Sequence, residues 1–257
     1  MPVFDDRTVC LPVLLHELPV LRQDAPRRAM RISERGKDMK VLIACEESQR
    51  VCTAFRKKGH EAYSCDIQEC SGGHPEWHIQ QDVLPLIDGN CAFITADGQT
   101  HEVVGEWDLI IAHPPCTDLA SSGARWFERK RKDGSQQKSI DFFMQFVSAK
   151  CRKIVIENPI GVMSTYFRKP DQIIQPWQFG DGYQKSTCLW FIGDVSELVV
   201  AVTVKPDLQY HTWTDPSGKV KRQTQWYYNT RLQGKNRAKA ASITPKGVAS
   251  AMADQWG

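Results

Sequence analysis

Two apolar runs in this chain end in the same way, each at a residue that could do chemistry. Ile110-Ile111-Ala112 stops at His113-Pro114-Pro115 and then presents Cys116, and Ile154-Val155-Ile156 stops at Glu157-Asn158-Pro159. β-Branched residues suit buried strands, and proline has no N–H to continue a ladder. Cys116 and Glu157 are therefore expected at the C-terminal edges of two strands, where open α/β sheets bind their ligands. Parallel strands would bring a thiol and a carboxyl to one crevice, a nucleophile beside a group that can give or take a proton. A free thiol is only slightly ionised at neutral pH, so the site must activate Cys116.

The elements that must hold this pair follow from periodicity. Met39 to Cys45 reads as the first strand of a domain spanning 39–257, preceded by an N-terminal extension over 1–38 with little periodicity and an expectation of partial disorder. Glu46-Glu47-Ser48 is expected to open a helix with Val51, Ala54 and Phe55 on its inner face, ended by Gly59. Glu61 to Asp66 reads as strand two, Ile79 to Ile87 as a further strand containing Asp82, and Phe93 to Val104 as a hairpin turned at Asp97-Gly98. Thr117 to Lys138 reads as a polar loop longer than an ordinary connection, followed by an amphipathic helix over Ser139 to Lys150 with Ile140, Phe143, Met144 and Val147 on one face. Thr187 to Ile192 and Leu198 to Val204 read as a terminal strand pair, Lys205 to Lys239 shows no clear period, and Pro245 to Gln255 reads as a closing helix.

Composition narrows the function classes. At 257 residues and 41% hydrophobic content the chain can bury a sizeable core. Its longest apolar segments fall far short of the roughly 20 residues that span a bilayer, and the N-terminal apolar patch is broken by prolines and charges, so neither membrane association nor a secretory signal is expected. Nine scattered cysteines point to a reduced, cytoplasmic compartment. The net charge of +3 is unevenly spread. Arg125, Arg129, Lys130, Arg131, Lys132 and Lys138 crowd the segment after Cys116, and a second basic stretch runs from Lys205 to Lys246. Two basic surfaces suggest a polyanionic partner, although a charge run can also be only a solvated face.

Pro-Pro-Cys after one strand and Glu-Asn-Pro after the next resemble the hallmark motifs of the DNA cytosine-5 methyltransferase family, and the surrounding elements come in the family's order. The resemblance spans roughly Met39 to Gly257 and implies an α/β fold: a Rossmann-like, S-adenosylmethionine-dependent methyltransferase with a mostly parallel sheet and an antiparallel terminal strand. It implies Cys116 as the nucleophile that adds to carbon 6 of cytosine and Glu157 as the general acid at ring nitrogen 3. For S-adenosylmethionine it implies Asp66 at the ribose hydroxyls, Asp82 at the adenine amine, Pro114 beside the cofactor, and Glu46 or Ser48 at the amino-acid end. The family's glycine turn after strand one is here Cys45-Glu46-Glu47-Ser48-Gln49, with no glycine. DNA is the implied partner, contacted by Ser122, Arg125 and Lys130 of the basic loop and by Lys185 and Thr187 near the cytosine, and the protein is expected to act as a monomer. Residues 193–238 are left for substrate recognition, with Trp213, Trp226, Tyr227 and Tyr228 as stacking groups.

Other readings stay open at this stage. An amino methyltransferase also places two prolines after this strand, but His113 and Cys116 suit its chemistry poorly. A modifier of free cytosine nucleotides would need only the small recognition region, and a non-catalytic nucleic-acid-binding protein would explain the missing glycines. Cys65, Cys70, His74 and His78 approach zinc-ligand spacing, yet Cys65 falls inside a strand and the neighbouring Gly72-Gly73 suggests a loop at the cofactor, so no metal is expected.

Overall fold

The structure is a computed structural model that describes residues 38–257. The expected extension over 1–38 lies, apart from Asp38, outside the described residues. In chain order the strands are β1 (Lys40–Ala44), β2 (Glu61–Asp66), β3 (His78–Gln80), β4 (Cys91–Ile94), β5 (Thr100–Val103), β6 (Leu109–Ala112), β7 (Lys153–Pro159), β8 (Gln172–Ile174), β9 (Thr187–Gly193), β10 (Tyr210–Thr214) and β11 (Val220–Thr224). The helices are α1 (Arg50–Lys57), α2 (Phe127–Lys132), α3 (Ser135–Ser148), α4 (Met163–Tyr166), α5 (Gln225–Arg231), α6 (Arg237–Ser242) and α7 (Lys246–Trp256).

Seven strands form one sheet in the order β3-β2-β1-β6-β7-β9-β8. From β3 to β7 every pairing is parallel, and β9 runs antiparallel to both β7 and β8. This is the expected α/β architecture, a Rossmann-like, mostly parallel sheet with one reversed strand near its end. β4 and β5 pair as a separate hairpin turned at Asp97-Gly98, and β10 and β11 form another.

The central strands are apolar throughout because both faces of a parallel sheet are covered. In β1, Val41 and Ile43 face one core, with Val51, Cys52 and Phe55 of α1 and Val248, Met252 and Trp256 of α7. Leu42 and Ala44 face the other, with Phe143 and Phe146 of α3 and with Phe93 and Trp107. Leu109 and Ile111 of β6 join the first core and Ile110 and Ala112 the second, so the period of two splits each strand between two layers.

Several expected elements differ from those observed. α1 starts at Arg50, not Glu46, because Gln49 takes a left-handed conformation (φ 55°) and the turn before it is irregular. β3 is only three residues long; Asp82 Oδ1 accepts the Leu84 N–H in a local turn, and a 3-10 turn over Leu84–Leu86 replaces the rest of the expected strand. The expected strand Leu198 to Val204 does not form. Glutamine side chains take the backbone groups a ladder would use: Gln172 bonds both N–H and C=O of Leu198, and Gln255 does the same for Val199. β9 pairs with β7 and with the short β8 instead. The expected loop Thr117 to Lys138 is mostly helical, with a 3-10 segment over Ser121–Trp126, then α2, and α3 beginning four residues earlier than anticipated.

Phe143 is fully buried and packs edge-on against Trp190 at 5.3 Å. Phe143→Ala is expected to lower unfolding free energy by about 3–5 kcal/mol, read from the denaturant midpoint at unchanged m-value.

Candidate functional site

Cys116 and Glu157 leave the sheet from neighbouring parallel strands. Ala112 of β6 pairs with Ile156 of β7, so His113 and Glu157 come next side by side, and the His113 N–H still bonds Ala44 O of β1 at 2.9 Å. Two side-chain bonds join the motifs across that edge. Asn158, buried, donates its Nδ2–H to the Pro114 carbonyl at 2.8 Å, and His113 Nδ1 donates to Glu157 Oε2 at 3.0 Å. The chain beyond Cys116 is pinned from the other side: Val162 N–H bonds Leu119 O, Ser121 N–H bonds Ile160 O, and Gly161 lies so close that a Cβ there would sit 2.0 Å from Leu119 O.

Electrostatics tie the groups together. The Cys116 residue is exposed, yet atoms crowding its thiol and then the Glu157 charge hold its pKa above the usual thiol range, opposed by Lys185 and Lys130. Glu157 is the opposite case. Burial of its side chain is outweighed by the His113 hydrogen bond and the Lys185 charge, and its pKa is lowered. Lys185 and Thr187 enter from the start of β9, which the reversed strand brings to this edge, and with Glu157, Thr244 and Pro245 they line a cavity of about 10 Å³, room for about one water molecule. Sequence reasoning named Lys185 and Thr187 and the closing helix, and the fold puts all three beside Glu157.

The turn after β1 holds its shape without glycine. Cys45 (φ 60°) and Gln49 (φ 55°) both occupy the left-handed region, at about 1–2 kcal/mol each for a non-glycine residue. Gln49 offsets this by bonding the His74 backbone twice, through Nε2–H to His74 O at 2.7 Å and through Oε1 from His74 N–H at 3.0 Å. Glu46 does not point its carboxylate at a ligand. Buried, it accepts Val51 N–H at 2.7 Å and Cys52 N–H at 3.1 Å, filling the N-terminus of α1 with the chain's own anion. The expectation placed Glu46 or Ser48 at the amino-acid end of a cofactor; in the structure both Glu46 oxygens are engaged by the α1 amides. Ser48 Oγ lies 3.5 Å from Glu46 Oε1. Asp66 and Asp82 stand at the ends of β2 and β3, both close enough to push the Cys45 thiol upward. Each uses Oδ1 in a local turn, and among the described residues neither Oδ2 has a hydrogen-bond partner. Two such carboxylates suit the hydroxyls and amine of a nucleoside. Glu47, also buried, has neither oxygen in a well-formed hydrogen bond, although Lys239 of α6 places its ammonium 3.2 Å away.

The basic segment is rearranged relative to expectation. Lys130 is buried; its Nζ donates to Thr117 O at 2.5 Å and pairs with Asp118 at 3.0 Å, so it braces the loop after Cys116 and does not reach outward to phosphate. Ser122 and Arg125 are exposed, and the ring of Trp126, 45% exposed, has the guanidinium groups of Arg125 and Arg129 at 5.0 and 5.1 Å from its centroid. Trp126 was missed from sequence, though an aromatic inside a basic run was the available signal; His113 was missed as well, although it directly precedes the two prolines. In the recognition region, Trp226 stacks on Tyr183 at 4.2 Å and Tyr228 on His211 at 3.5 Å, which commits both to internal packing. Trp213 and Tyr227 keep 38% exposure. The cysteine and histidine array does not converge: His78 is buried against Ser64 and the Gln68 carbonyl, His74 pairs with Glu76, and the Cys65 thiol faces the Gln81 carbonyl, with burial pushing it up to about 12. Among the described residues no disulfide forms and no helix is long and apolar enough to cross a membrane.

No family model matches the chain, and no curated protein matches it. Among solved structures it is similar to a crystal structure of an E. coli prophage-encoded protein named for DNA modification methyltransferase activity, at 13% identity and a TM-score of 0.38, over 60% of this chain and 46% of that one. The chain thus spans less than half the length of that protein.

Lys130→Ala strands Asp118 and the Thr117 carbonyl and is expected to cost about 1–3 kcal/mol in stability. Arg125→Ala, which removes an exposed side chain, should leave the melting temperature unchanged.

Proposed function

We propose that this chain is a DNA methyltransferase that moves a methyl group from S-adenosylmethionine to carbon 5 of cytosine through a transient bond between Cys116 and carbon 6. The observation that carries this reading is that Glu157 and Lys185, from two separate elements, line one cavity at the sheet edge that also carries Cys116, where both charges reach its thiol. Carbon 5 of cytosine is a poor nucleophile. Addition of the Cys116 thiolate at carbon 6 pushes the ring electrons toward carbon 5 and nitrogen 3, and Glu157 meets nitrogen 3 and the exocyclic amine with a proton or hydrogen bond. Lys185 and Thr187, entering with β9, hold the rim of the base pocket, and Lys185 opposes the cost of forming the thiolate.

S-adenosylmethionine, when bound, supplies the electrophilic methyl group. Asp66 would hold its ribose hydroxyls and Asp82 its adenine amine, with Ser48 toward the amino-acid end and Pro114 as the wall beside the methyl. Carbon 5 then gives up its proton to a solvent water, the pair left behind restores the ring double bond, and Cys116 leaves as thiolate. Reaching carbon 6 in a duplex requires flipping the base out at a cost of a few kcal/mol. Ser122, Arg125 and the exposed Trp126 stand where phosphates and a displaced base would be met after the nucleophile loop.

DNA carrying 5-fluorocytosine, mixed with S-adenosylmethionine, is expected to trap the unaltered protein as a denaturation-resistant adduct, because fluorine cannot leave as the carbon 5 proton does. Cys116→Ser should abolish the adduct while keeping cofactor binding by calorimetry. A Cys116→Ser protein that still methylates cytosine at carbon 5 would contradict the mechanism.

A further inference from the structure

His113 makes one bond that the proposed chemistry uses and leaves one ring nitrogen with none. Its side chain is 9% exposed, Nδ1 donates to Glu157 Oε2 at 3.0 Å, and Nε2 is buried without a hydrogen-bond partner. The ring lies in a row of ionisable groups across adjacent strands. Glu157 follows β7, His113 follows β6, and Glu46 follows β1, where the His113 charge acts on its carboxyl. The other charged groups facing this row are Lys185, before β9, and the Cys116 thiol. The imidazole is thus hydrogen-bonded to one carboxyl, Glu157, with its second ring nitrogen unused.

We infer that His113 stores the proton that Glu157 delivers to ring nitrogen 3 of cytosine, acting through Glu157 as a positioning residue. The inference rests on the carbon 5 reading proposed above. With His113 as imidazolium and Glu157 as carboxylate, the pair holds one proton. The Cys116 thiolate, its own proton already lost to solvent, forms the bond to carbon 6; the carbon 5–carbon 6 π pair moves to carbon 4–carbon 5, and the nitrogen 3–carbon 4 π pair moves onto nitrogen 3. Nδ1 gives its proton to Glu157 Oε2, and the carboxylic acid so formed turns that O–H toward nitrogen 3 and passes the same proton on. The Nδ1–H bond breaks, the nitrogen 3–H bond forms, and His113 is left neutral beside a Glu157 carboxylate. When the cysteine later leaves, the same path returns the proton. The arrangement answers a difficulty in the acid role: the His113 bond and Lys185 lower the Glu157 pKa, so Glu157 alone would hold few protons at neutral pH.

The test measures the rate of adduct formation between the full chain and 5-fluorocytosine DNA, with S-adenosylmethionine, across about pH 5–9. His113→Asn keeps an N–H donor toward Glu157 but has no proton to lend. It is expected to slow adduct formation near neutral pH on the order of 100-fold and to move the optimum to acid, where Glu157 protonates directly. A His113→Asn profile superimposable on that of the unaltered protein overturns the inference and leaves His113 as a hydrogen-bonding support only. If that variant does not fold, ¹⁵N-histidine spectra of the unaltered protein decide: an imidazolium that titrates over the range in which adduct formation falls supports the store, and a His113 ring neutral throughout overturns it. Failure of the unaltered protein to form any adduct overturns the carbon 5 reading and this inference together.

Discussion

One side-chain amide keeps the two chemical loops in place. Prolines 114 and 115 end the ladder of β6, and without N–H groups they offer the neighbouring strand nothing to hold. The loop that carries Cys116 is therefore anchored by acceptance: the Pro114 carbonyl takes the Asn158 amide, while Gly161 lets the following segment approach the Leu119 carbonyl closely enough to bond it. Both anchors come from the residues just after Glu157. The position of the thiol is thus set by the strand that delivers the carboxyl, and a shift in β7 moves both groups together.

The turn after β1 solves a different problem. A helix N-terminus at a sheet edge attracts anions, and a glycine-rich turn normally lets the backbone approach a ligand there. Here Glu46 takes the α1 amides itself, and Gln49 rather than glycine adopts the left-handed bend, held by the His74 backbone. At the same edge the outer oxygens of Asp66 and Asp82 stay free of hydrogen-bond partners among the described residues. The same turn reaches the C-terminal region through Glu47 and Lys239.

Much of this was legible in the residues because the physics is local. Apolar runs stopped by proline located β6 and β7, Gly59 marked the end of the first helix, and Asp97-Gly98 marked the hairpin. Two of the failures share one cause, competition by polar side chains that periodicity does not register. Leu198 to Val204 is apolar enough for a strand, yet Gln172 and Gln255 satisfy its backbone first. Lys130 looked like a phosphate contact because its neighbours are basic and solvated, and only the fold shows Asp118 and Thr117 O beneath it. The His113–Glu157 bond joins residues 44 apart, so no local pattern could announce it.

The reversal of β9 also governs when the site can exist. Cys116 and Glu157 both precede residue 160 in the chain, but β8 has no sheet neighbour except β9, and Lys185 and Thr187 reach the edge only as β9 docks against β7 with Thr187 opposite Pro159. A chain emerging from synthesis therefore carries its thiol for some time beside an unfinished rim. A segment made later thus inserts between two strands made earlier, and the same step brings Lys185 and Thr187 to the edge that already carries Glu157.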